Sequence, residues 1–322
     1  MSQAPFIVQP RLTALALAYR NLRFIADFVL PRVQVDSPTF KYTTFTKEDA
    51  FTVPDTKVGP KSRVNEIDWT ASESTATTQD YALEDAIPYF DVQAAQAAQA
   101  AQGVAPVDPE QRSTELITDL IALERETRVA GLAFNLASYA TANKATLAGT
   151  TQWSDYTNSD PVSAILTAFD GMITRPNIGV FGRAVYTKLR MHPKVTAAVF
   201  PQGGNAAQGG AASRQAIADL LELDAVYVGE SFLNTAKKGQ TAVLGQVWGK
   251  HTAFLYLNPQ VQGPQSGLTF GVTAQWGQRI AGTIGSDPTI GMRGGTRVRV
   301  GESLKELVLA SDAGYFFQNA VA

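Results

Sequence analysis

The chain offers few residues with which to do chemistry. It has two histidines, His192 and His251, and no cysteine. Thiolate catalysis, disulfides and cysteine-ligated zinc are therefore excluded, and a histidine-metal cluster or serine-histidine relay could be built only around those two positions. Neither stands in a nucleophile-elbow pattern. The nearest approach to a phosphate-binding loop is Gly245 to Thr252, "GQVWGKHT". Its glycines enclose three residues instead of four, and His251 follows Lys250 where a serine or threonine is required. Val243, Val247, Phe254 and Tyr256 around it suggest instead two strands joined by a turn at Gly249.

The remaining candidates have structural explanations. In "FGRAVYTKLRMHPKVTAAVF", Phe181 to Phe200, the residues Phe181, Val185 and Leu189 recur at helical spacing after a short buried strand at 177–180, and His192-Pro193 reads as the helix stop. Arg190 and His192 then sit where a helix dipole favours positive charge. Glu124 and Glu126 point to different faces of a long helix and read as contacts to solvent or to another subunit. The glycine-rich Pro201–Ala216 stretch lacks the strand and helix order of a dinucleotide site and reads as a mobile loop. No catalytic, cofactor or metal site is assigned.

The elements around these residues are unusual in proportion. The chain has 322 residues, 45% apolar and 17% charged, against about 25% charged in a typical domain. It can bury a core, and its scarcity of charge suggests surface that faces other protein. With 27 basic and 29 acidic residues interspersed, no basic stripe advertises nucleic-acid reading. The absence of cysteine fits a reducing cytoplasm, and no targeting segment is evident at the start.

A first helix should begin near Pro10, with Leu12, Leu15, Ala16 and Tyr19 on one face, and end before Pro31. Residues 37–90 contain only short alternating pieces and no sustained apolar run, so they read as an extended β-arm that needs a neighbour. The "QAAQAAQAAQG" repeat, Gln93 to Gly103, reads as a linker or exposed helix. Asp108-Pro109-Glu110 opens a helix of about thirty residues to about Tyr139, with Leu116, Leu120, Leu123, Ala130 and Phe134 on its buried face. Asp160-Pro161 opens another, carrying Ile165, Leu166, Phe169, Met172 and Ile173.

In combination these strings resemble the major capsid proteins of tailed bacteriophages with the Hong Kong 97-type fold, particularly Mu-like and related phages of Pseudomonas-type hosts. The resemblance is carried by "AYRNLRFIADFVLPRV" (18–33), "FKYTTFTKEDAF" (40–51), "PDTKVGPKSRVNEIDW" (54–69), "SRQAI" (213–217), "LLELDAVYVGESFLNTAKKGQ" (220–240), "VWGKH" (247–251) and "VRVGESLKELVLASDAGYFF" (298–317). It implies an α+β fold: an N-terminal arm (1–36), an extended E-loop (37–90), a P-domain (91–159) with its spine helix at 108–140, an A-domain (160–262), and P-domain return strands with the C-terminus (263–322).

It also implies self-assembly into hexamers and pentamers of an icosahedral shell enclosing double-stranded DNA, with no enzymatic activity and no cofactor. In that arrangement each E-loop lies over an adjoining subunit, the N-arm clasps another, and loops such as 202–212 meet at the symmetry axes. Further expectations are a separately encoded scaffolding protein, since Met1 precedes the arm helix by only about ten residues, a portal at one vertex, and a cement protein in some relatives. Some members crosslink an E-loop lysine to an asparagine. Lys57, Lys61 and Asn319 are of the right types but align with no such motif, so clasping is expected to be non-covalent. The alternatives are a tail or tube subunit, which would form open rods, and a phosphate-binding hydrolase using Lys250.

Overall fold

The computed structural model describes residues 6–322 except 20, 22, 45–52, 54, 60–61, 65, 67–71, 103–107, 201–209, 238, 262 and 265–266. Two five-stranded sheets organise it, each covered by helices, as expected of an α+β chain. Near the N-terminus come β1 (Phe6–Val8), α1 (Pro10–Ala18), α2 (Ala26–Val29) and β2 (Arg32–Val35). The strands β3 (Thr39–Thr44) and β4 (Ser72–Thr77) pair with each other, and β5 (Gln79–Pro88) follows. Two helices come next, α3 (Tyr89–Gln102) and α4 (Pro109–Ala133), then β6 (Lys144–Thr146) and α5 (Pro161–Asp170). Beyond them lie β7 (Ile178–Gly182), α6 (Arg183–Arg190), α7 (Pro193–Val199), α8 (Arg214–Leu220) and β8 (Ala225–Gly229). The chain ends with β9 (Phe232–Asn234), β10 (Leu244–Gln246), β11 (Thr252–Leu255), β12 (Gly271–Asp287), β13 (Gly295–Val308) and β14 (Gly314–Gln318).

The first sheet has the order β1, β12, β13, β5, with β2 lying parallel on the other end of β12's free edge. The seventeen-residue β12 serves two short strands because a bulge between Trp276 and Ile280, with Gly277 at φ +68°, shifts its register midway. One face of this sheet is packed by α1 and α4 through Leu12, Ala16, Ile117, Ile121, Ala281, Val298 and Val300. The second sheet runs β6, β14, β11, β7, β8. All five residues of β7 and all four of β11 are buried, the pattern of strands covered on both faces.

Several expectations change here. The expected single N-terminal helix is two helices, because Asn21 accepts from the Arg23 amide and the Glu126 carboxylate captures the amides of Ile25 and Ala26, which starts a second helix. Residues 6–18 lie on their own chain's sheet and do not stand free as an arm. Of the expected 37–90 β-arm, β5 pairs along ten residues with β13 and belongs to the first sheet, which leaves β3 and β4 as the arm. The long helix stops at Ala133, where Asn135 accepts from the Ala137 amide and turns the chain.

The largest correction concerns the buried face of that helix. Ile117, Ile121, Val129, Ala130 and Ala133 face the core, while Leu116 and Leu120 are 57% and 54% exposed. The true inner face also carries Ser113, Thr114 and Thr118, so apolar periodicity selected the wrong stripe in the first half of the helix, while Ala130 is buried as expected and Phe134 packs against the core. Thr114 and Thr118 donate to the carbonyls of Glu110 and Thr114 one turn back, which satisfies their hydroxyls without any partner. On α5, Ile165 and Phe169 are buried as expected; Met172 and Ile173, expected on the same helix, lie past its end at Asp170, the first buried and the second exposed. The strands flanking Gly249 form no hairpin either: β10 pairs with β9, and β11 lies between β7 and β14. Finally, β6 and β14 join the second sheet from outside the expected 160–262 span.

Candidate assembly surfaces

His192 lies fully buried between two helices: α6 stops ahead of it as expected, at Arg190 with Met191 as its cap, and His192 opens the next helix. It is the N-cap of α7, where its Nδ1 accepts from the Lys194 amide at 3.2 Å and its Nε2 meets Ser159 Oγ at 3.0 Å. Burial first, and then the Lys194 charge, hold its pKa below the ordinary imidazole value. A neutral ring is what this cap needs, because a protonated Nδ1 could not accept. The expected role as a cation at a helix C-terminus falls to Lys188 and Arg190 in the last turn of α6.

Burial likewise pulls the His251 pKa below the ordinary imidazole value, and its Nδ1 accepts from the Asn319 amide at 3.0 Å. The turn before it uses Gly249 at φ +52°, a conformation few other residues tolerate. Lys250 stands beside this turn, and the four-residue phosphate spacing is missing from the structure as from the sequence. Of the residues considered for crosslinking, Asn319 is a turn residue at φ +54° below β14, and Lys61 lies outside the described residues. Most of the 202–212 loop also lies outside them.

Glu126 is not a surface contact. Its side chain is completely buried and joins three parts of the chain. The amides of Ile25 and Ala26 donate to Oε2 at 3.0 and 2.8 Å, and Trp248 Nε1 donates to Oε1 at 2.6 Å. Burial pushes its carboxyl above the ordinary value, against the pull of these donors and of Arg125. Next to it, Arg125 donates to Asp27 at 2.5 Å, to the Leu30 carbonyl at 3.2 Å and to Thr273 Oγ1 at 3.1 Å. Arg279 and Arg32 both pair with the buried Glu302, and Arg279 also donates to the Ala16 carbonyl at 2.9 Å. These ties fix the N-terminal segment, the long helix, the first sheet and the turn that carries Trp248 as one frame. Single-sequence reading had one signal for them: charged residues at the phase of α4 that also carries Val129 and Ala130.

From that frame projects the β3–β4 hairpin. Its root is apolar, with Phe40, Tyr42 and Ala76 packed on Val33, Val272 and Leu307. Lys41 donates to Glu73 across the two strands at 2.7 Å, and at their base the Thr39 and Thr77 hydroxyls meet at 3.2 Å. Farther out, Val53 is 90% exposed and Val64 73%.

Comparison with known proteins agrees with this frame and arm. No family model matches the chain. It is 48% identical over 322 residues, all of both chains, to the major capsid protein of Pseudomonas phage JBD67. It is 28% identical over 314 residues to the major capsid protein of Burkholderia phage BcepMu, covering 96% of this chain and 95% of that one. Among solved structures, a phage-related protein from Bordetella bronchiseptica RB50 superposes with a TM-score of 0.72 at 23% identity, over 98% of each chain. The capsid of cyanophage P-SCSP1u does so with a TM-score of 0.56 at 12% identity, over 94% and 89%. The full-length identity, together with two helix-covered sheets and a projecting β-ribbon, places the chain in the major capsid proteins of tailed bacteriophages, with the Hong Kong 97-type fold and a place in the virion head.

Proposed function

We propose that this subunit interlocks with its neighbours chiefly through the β3–β4 ribbon, each copy laying the segment between those strands over an adjoining copy in the manner of an E-loop. The observation that carries this reading is the exposure of Val53 and Val64 in the segment between two strands that, among the described residues, rest on the first sheet through Phe40, Tyr42 and Ala76. In this reading the first sheet with α3 and α4 is the peripheral domain, the second sheet with α5 to α8 is the central one, and the clasp is non-covalent. The closed shell holds double-stranded DNA without sequence-specific binding, and the formal charge of −2 suits a wall that must release its contents. Assembly takes place in the host cytoplasm with a separately encoded scaffolding protein, a portal occupies one vertex, and a decoration protein is an optional addition. The role is structural and calls on no catalysis.

Replacing residues 46–71 with a short glycine-serine linker tests this. The variant should remain soluble with a cooperative melt like that of the full chain, and it should fail to form closed particles in electron micrographs. Normal shells from the shortened chain would contradict the interlocking role.

A further inference from the structure

We infer that the outward face of α4 is a docking site for a basic amphipathic helix carried by a second polypeptide. Leu116, Leu120 and Leu123 follow at i, i+4 and i+7, which stacks them along one stripe. Leu116 and Leu120 are more than half exposed, while Ile117 and Ile121, one residue on, are 4% and 3% exposed. The helix is therefore apolar on two faces, and the fold uses only one. A leucine stripe left to solvent on a rigid, core-packed helix is the surface that helix-in-groove recognition uses.

The flanks of the stripe say what its occupant is. Glu115 and Asp119 line the side toward α1, where their partners are neutral: Gln111 donates to Glu115 at 3.2 Å and Asn21 donates to Asp119 at 2.8 Å. Burial and then the charges of these two carboxylates hold the Tyr19 phenol above its ordinary value, a sign of the negative field in that seam. Of the nearby cations, Arg11 pairs with Asp108, and Arg128 with Glu124 and Glu306, while Arg112 stands at the N-terminal end of the stripe. An apolar stripe with an acidic flank is complementary to a helix carrying aliphatic residues on one face and lysine or arginine beside them.

Such a helix is not spare in a second copy of this chain. Among the described residues, α1, α5, α6, α7 and α8 turn their apolar faces into their own cores through Leu12, Ile165, Leu189, Val195 and Ile217, and α2 and α3 contain no cation. The occupant is therefore a different polypeptide, and this inference stands apart from the ribbon.

The test uses the purified full chain and a fluorescent synthetic 18-residue helix with leucines on one face and lysines beside them, followed by anisotropy. Its acidic counterpart, with glutamate for lysine, is the control. The basic helix should bind, more weakly as salt rises, and the acidic one should not. Affinity should fall at least tenfold in the Leu116→Gln/Leu120→Gln double variant and in Glu115→Gln/Asp119→Asn, with melting temperatures unchanged. Equal binding of both helices, or undiminished binding by both double variants, would overturn the inference. So would a failure of the leucine variant to assemble with copies of itself, which would assign the stripe to contact between copies.

Discussion

At the level of single residues, the titratable groups of this chain act as parts of its frame. His192 accepts from the Lys194 amide to cap α7, and its pKa is depressed by burial. The unfolded chain therefore takes up a proton at higher pH than the folded one. Stability from this group is complete above the unfolded imidazole value, about 6.5, and is lost as pH falls from there toward the lower folded value. The melting temperature of the wild-type subunit should then drop between pH 7 and pH 5 by more than that of His192→Asn, which keeps a capping oxygen but cannot titrate. Calorimetry at three pH values checks this, and parallel slopes for the two proteins would count against it. Because His251 remains in both proteins, the difference belongs to His192.

Whole elements show what could be read from the sequence and what could not. The Asp-Pro starts at Asp108 and Asp160 were legible, and both aspartates accept from amides in the first turn of their helices, Glu110 and Ser163. A buried strand ahead of α6 was legible at 177–180, but it runs Ile178–Gly182 and takes in Phe181, which the helical spacing had assigned to the helix. The orientation of α4 was not. Its inner face mixes isoleucines with threonines and then carries Arg125 and Glu126 ahead of Val129 and Ala130, and the burial of that charged pair depends on Asp27, Trp248 and backbone amides far away in sequence. The same limit hid the pairing of β11, because Gly249 signals a turn but not which strands the chain then joins.

The corrected orientation of α4 makes a sharp comparison. Ile121→Ala should cost about 2–4 kcal/mol, as deletion from a packed core does, whereas Leu120→Ala, one residue away, should stay within about 0.5 kcal/mol. Even Leu120→Asp should leave a folded, soluble subunit. Urea titrations of the three variants measure this, and similar losses at 120 and 121 would show that the helix is turned differently.

Across the whole molecule, the ribbon and the frame divide the work. The frame is held by two helix-covered sheets and by buried ties at Glu126, Arg125 and Glu302, which suits a unit that keeps its shape while its neighbours come and go. On the proposed reading, the ribbon adds the contacts between copies. Repeated around a closed shell, contacts that are each modest become collectively strong through effective concentration. The low share of charged residues, 17%, agrees with a subunit much of whose surface faces protein.

The most direct measurement is a cryo-electron microscopy map of particles assembled from this chain, traced through residues 39–77. Closed icosahedral shells in which the residues beyond Thr44 and before Ser72 lie against an adjoining subunit are the predicted result. Open tubes, or a ribbon folded back along its own subunit, would contradict the account.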